Sequence, residues 1–130
     1  MTVIIFFIAF VIFFIIDILW LGLFAKNMYQ SQIGFILAKK PNWYAAFIFY
    51  ILYIVFLMIF AIMPALQKSS FNDAMLYGAL YGFITYATYD LTNLATLKNW
   101  PLKVTLIDIS WGTLLGFSVS TLTYLIGSLL

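Results

Sequence analysis

Tyr86-Ala87-Thr88-Tyr89-Asp90-Leu91-Thr92-Asn93-Leu94-Ala95-Thr96 is the stretch whose chemistry decides the fold class. It lies inside a long apolar segment, yet it carries a carboxylate, an amide, three threonines and two tyrosines. Hydrocarbon penalises such groups, so on a membrane helix they face the protein interior or a water-filled cavity. Two other apolar segments each hold one aspartate, Asp17 and Asp108. The pattern is that of a small all-α integral membrane protein with an acidic internal site.

Composition agrees. Of 130 residues, 66% are hydrophobic and 8% charged, and the mean hydropathy is +1.13. Soluble domains are nearer half apolar and a quarter charged. The net charge of +2 is small and scattered, which argues against a nucleic-acid surface. Cys, His, Arg and Glu are all absent, removing thiolate chemistry, the usual proton shuttle and the bidentate anion clamp. Acid chemistry is left to Asp17, Asp73, Asp90 and Asp108.

Four spans in a single membrane domain, residues 1–130, are expected: about 3–25, 42–64, 73–97 and 102–129. No basic residue precedes the first run and no small-residue cleavage site follows it, so it reads as a retained span rather than a signal peptide. Residues 26–40 space Tyr29, Ile33, Ile36 and Leu37 helically among polar residues. That predicts a short interfacial amphipathic helix ended by Pro41. Trp43 and Tyr44 are expected headgroup anchors, as is Trp100 in the turn Lys98-Asn99-Trp100-Pro101. Asp73 opens the third span, where a carboxylate suits a helix N-terminus.

Gly78 and Gly82 on the third span, and Gly112 and Gly116 on the fourth, follow the small-xxx-small spacing of closely packed membrane helices. These two spans should form an antiparallel hairpin. Lys26, Lys39, Lys40, Lys98 and Lys103 fall on one side and Lys68 on the other, so the positive-inside rule puts both termini outside.

Asp17, Asp90 and Asp108 then lie at one depth, roughly 8–13 Å inside the cytoplasmic ends of their helices. Asp90 shares an arc with Gly78, Gly82, Tyr86, Tyr89, Asn93 and Thr96, and Asp108 shares one with Thr105, Trp111, Gly112 and Gly116. The hairpin should bring these two acids together. Ile16-Asp17-Ile18-Leu19-Trp20 also echoes Ile107-Asp108-Ile109-Ser110-Trp111, a hint of similar local chemistry. A plainer role competes: each Asp bonds its own Trp three residues on, or a nearby Thr or Tyr, and merely ties helices together. Tyr50 and Tyr53 read as core packing rather than cavity lining. The phenylalanines of the first span read as lipid-facing or packing residues. No phosphate loop, nucleophile triad or metalloprotease spacing is present.

The string YATYDLTNLATLKNWPLKVTLIDISWG, residues 86–112, resembles the signature of the domain-of-unknown-function 2177 family. Asp-Ile-Leu-Trp-Leu near the end of the first span, Tyr29 followed by Gly34, and Pro64-Ala65 fit the same pattern. The resemblance implies a four-span protein of a bacterial inner membrane, without an established activity. It marks Asp17, Trp20, Tyr89, Asp90, Thr92, Asn93, Trp100, Pro101, Asp108 and Trp111 as pattern residues, and keeps a lipid-linked role in view.

The leading functional expectation is proton- or cation-linked transport or permeation of a small solute or lipid. Asp17, Asp90 and Asp108 form its site, with Asn93, Thr92, Tyr89, Trp20 and Trp111 as neutral partners, and no catalytic residue is assigned. The bound species would be a proton or a hard divalent cation, since the donors are all oxygen; no cofactor is required. The alternatives are a membrane-embedded lipid-modifying enzyme or its accessory subunit, and a structural subunit of a larger complex. Four short helices enclose little volume, so a homodimer or a larger membrane complex is expected.

Overall fold

The computed structural model describes residues Met1–Leu130. It is all-helical, 87% helix with no strand. Helix α1 (Thr2–Leu19) continues through a π-helical turn, Trp20–Ala25, into α2 (Lys26–Ile33) and a 3-10 turn at Gly34–Ile36. Helix α3 (Trp43–Leu57) likewise passes through a π turn, Met58–Ile62, into α4 (Met63–Lys68). Helices α5 (Phe71–Thr96) and α6 (Leu102–Gly127) complete the chain. Three stretches are long and apolar enough to cross a membrane: Thr2–Ile36, Trp43–Lys68 and Leu102–Gly127. Helix α5 matches α6 at 26 residues, but its Thr/Tyr/Asp run keeps it outside that apolar set.

Two boundaries differ from the sequence reading, and the π turns explain both. A π turn inserts a residue into the helix without ending it. The first joins Lys26–Ile33 to α1 as the continuation of one helical stretch, Thr2–Ile36. Helical structure there stops at Ile36, several residues before Pro41, and an irregular link leads to Asn42, whose side chain caps α3 by accepting from Ala45 N at 3.2 Å. The second accommodates Pro64, which has no N–H to donate back up the helix. The second span therefore runs on to Lys68 instead of closing at Pro64.

The turn before α5 is built as its residues require. Ser69 adopts the left-handed conformation at φ 51°, Ser70 Oγ accepts from Asp73 N at 3.1 Å, and Asp73 pairs with Lys68 at 3.5 Å. That ion pair is the only one in the protein.

Helices α5 and α6 pack antiparallel along a seam of small residues. A methyl group added at Gly82 would run into the Gly112 carbonyl, one at Gly116 into the Gly78 carbonyl, and one at Gly112 into the Tyr86 ring. Ser120 Oγ crosses the seam to donate to Ala74 O at 2.8 Å. Contacts descend four residues at a time: Gly78 with Ser120, Gly82 with Gly116, Tyr86 with Gly112. The next step is Asp90 with Asp108, whose carboxyls are neighbours.

Helix α1 also runs antiparallel to α6, with Ile5 against Gly127 at one end and Trp20 stacked on Trp111 at the other. The main core fills the first of these ends, where Ile5, Ala9 and Phe13 meet Ile54, Leu57, Ile62 and Val119. The π turn of the second span packs on α5 there. Towards the other end the first half of α3 stands away from α5. The bundle is closed in one half and open in the half that carries the acids.

Candidate functional site

The open half holds a cavity of about 290 Å³. Asp17 and Asp108 supply its charge, from α1 and α6 respectively. Its walls are aromatic: Trp20 and Trp111 stack face to face, 4.4 Å apart and 6° from parallel, and Trp100 meets Tyr89 edge-on at 5.8 Å. Tyr29, Tyr50 and Tyr86 also line it, each from a different helix, with apolar residues such as Phe49 and Val104 between them.

Each cavity carboxylate takes one phenol. Tyr29 OH donates to Asp108 Oδ1 and itself accepts from Trp20 Nε1 at 3.3 Å. Tyr50 OH donates to Asp17 Oδ2 at 3.4 Å. Trp111 Nε1 is buried beside Asp17 but makes no hydrogen bond. Asp90 lies behind Asp108, is 0% exposed, and neither of its oxygens has a hydrogen-bond donor. No lysine pairs with any of the three acids. Nor do three acids converge closely enough to hold a metal ion. No basic side chain of the protein stands beside these three acids.

A second cavity of about 300 Å³ adjoins the first, sharing Tyr86, Tyr89, Phe49 and Asp108. It occupies the space between α3 and α5. Phe49 and Tyr89 are about half exposed at its rim, so the acidic cavity opens sideways between these helices.

Residues 2–125 match a family model described as "Predicted membrane protein (DUF2177)". The chain belongs to the DUF2177 family. No curated protein and no solved structure matches it.

In this DUF2177 protein the sequence-predicted residues separate into two groups. Asp17, Asp108, Trp20, Trp111 and Tyr89 line the cavity, and Asp90 backs it. Thr92 lies on the exposed face of α5, and Asn93, half-buried beside Tyr89, does not reach the cavity. The plainer role is met in part: Asp17 and Asp108 each accept from a tyrosine, but neither Trp bonds the Asp three residues before it. The tryptophans instead stack on each other, Trp20 turns to Tyr29, and Trp111 lies beside the aspartate of the other helix.

Tyr29, Tyr50 and Trp100 also line the cavity, where the sequence does not place them. Tyr29, expected on the amphipathic segment, turns its hydroxyl onto Asp108 beyond the π turn. Tyr50 packs against the core, as the sequence suggests, and also lines the cavity; Tyr53, one turn on, is buried within the core. Trp100 was assigned to the headgroups. It is 7% exposed, and its Nε1 donates to Thr105 Oγ1 at 3.1 Å. Trp43 and Tyr44, by contrast, are exposed.

Proposed function

We propose that this protein is a four-span transport or permeation protein of the bacterial cytoplasmic membrane, moving a small solute or lipid in exchange for, or together with, a proton or cation. Asp90 and Asp108 hold that proton or cation between them, and Asp108 and Asp17 present charge to the cavity. In this reading α5 crosses the membrane with its polar face turned to α6, and both chain termini lie outside.

The observation that carries the reading is Asp90: wholly buried, without a donor, and next to a second carboxyl. An acid kept only to tie helices together would be bonded to one of the many Thr, Tyr and Trp donors nearby, because an unpaired buried polar group costs about 1–3 kcal/mol and a charged one more. Two adjacent carboxyls are instead complementary to one proton shared between them or to one cation. Taking up and giving back that charge alters what Asp108 offers to Tyr29, and through Tyr29 to α2 and Trp20. That chain of contacts links the acid pair to the cavity wall.

The test uses proteoliposomes that enclose a pH-sensitive dye and are challenged with gradients of a panel of small solutes. The parent protein should move protons with at least one solute class, and Asp90→Asn should not, while inserting and folding as the parent does. Equal proton movement by parent and variant contradicts the reading.

A further inference from the structure

The cavity's two chemical features, aromatic side chains and carboxyl groups without a basic partner, converge on one ligand class. We infer that the site between α1, α3, α5 and α6 binds an organic ammonium ion, an alkylated amine, and not a bare metal ion. The inference rests on the cation-linked reading above and names the chemistry of its solute.

A hard divalent cation wants six or more oxygen ligands at about 2.0–2.6 Å. Here no three acids gather around a point, and most of the lining is apolar or aromatic. An alkylated ammonium suits that lining. Its charge is spread over carbon-bound hydrogens, it is weakly hydrated, and it is attracted to the faces of Trp and Tyr, which hold such ions in aromatic cages. Asp17 and Asp108 supply the opposite charge on two walls of the same space. No protein cation competes, because the one ion pair, Lys68–Asp73, lies in the turn before α5.

Size agrees as well. A cavity of about 290 Å³ exceeds the ~150 Å³ that admits benzene and sits at the small end of ligand pockets. The side opening between α3 and α5 admits either a free solute or the headgroup of a lipid.

The probe is choline, titrated into the full-length protein in maltoside detergent while tryptophan emission is followed; three of the four tryptophans line the cavity. Choline should change the emission saturably. Its neutral isostere, with carbon in place of the ammonium nitrogen, should not. Asp17→Asn should weaken choline binding by on the order of tenfold, about 1.4 kcal/mol. Tyr89→Leu, at a rim position that is 56% exposed, should weaken it by roughly two- to thirtyfold.

Repeating the titration in nanodiscs with and without phosphatidylcholine separates the sources. Competition by the lipid assigns the site to a headgroup, and its absence assigns it to a free solute. Equal binding of choline and its isostere, no binding of either, or full affinity in Tyr89→Leu overturns the inference. If magnesium or sodium changes the emission and choline does not, the organic-cation inference fails and the cation-linked reading stands. If choline binds but Asp90→Asn still moves protons as the parent does, the transport reading fails and the binding site stands.

Discussion

Asp90 and Asp108 meet across the α5–α6 seam one helical turn beyond the contact of Tyr86 with Gly112, and no lysine stands beside either. The glycines thus do more than hold two helices together. Their four-residue spacing continues into the acids, so the close packing that Gly82 and Gly112 permit also sets the acids side by side.

That dependence makes the seam testable. Gly82→Ala forces a methyl into the Gly112 carbonyl, a backbone atom that cannot rotate away. Overpacking of this kind costs about 1–3 kcal/mol, and the thermal unfolding midpoint in detergent should fall accordingly. Gly22 meets nothing within 4 Å. Gly22→Ala should leave the midpoint unchanged or raise it, since Ala is the better helix former.

Ser120 gives a smaller, cleaner effect. Its bond to Ala74 O at 2.8 Å is a buried interhelical contact. Removing it in Ser120→Ala should cost about 0.6–2 kcal/mol in the same unfolding assay, with the helical content of the folded state unchanged by circular dichroism.

Tyr29 is the tie between α2 and α6. In Tyr29→Phe, Asp108 loses its phenol donor and Trp20 its acceptor. A loss of about 1–3 kcal/mol follows. Hydrogen exchange should rise first in Lys26–Ile36, while α5 and the closed half of α6 keep their protection. The same substitution at Tyr77, which is exposed, should change neither.

The absence of cysteine allows topology to be read by labelling. Gln67→Cys and Lys98→Cys sit at exposed positions near opposite ends of α5. If α5 crosses the membrane with the lysine-rich side inside, an impermeant maleimide added to intact cells should label the first and not the second until the membrane is opened. Labelling of both, or of the second alone, contradicts the four-span orientation.

The seam was legible because spacing alone specifies it: glycines four apart on two neighbouring helices leave few other arrangements. The meeting of Asp90 and Asp108 followed from the same spacing, and the shared depth of Asp17 placed it at the right end of the bundle. Tyr29 and the limits of the second span were not legible. A helical wheel assumes an unbroken 3.6-residue period, and each π turn, Trp20–Ala25 and Met58–Ile62, shifts the phase of everything after it. Trp100 was misread for another reason. A Trp beside Lys and Pro at a helix start looks like a headgroup anchor, and only the packing of Ile33 and Val104 against it reveals an inward side chain. The echo between Asp17-Trp20 and Asp108-Trp111 was visible, but spacing along one helix could not disclose that the two tryptophans would stack on each other.

The central claim is that Asp90 is retained for the charge it handles and not for packing, and the most direct measurement is the thermal unfolding of Asp90→Asn beside the parent in the same detergent. An asparagine amide can donate to Asp108, as a carboxylate cannot. The account predicts a variant at least as stable as the parent, by on the order of 1 kcal/mol if the new bond forms. A midpoint several degrees lower, matching or exceeding the loss in Ser120→Ala, would contradict it and make Asp90 a structural tie.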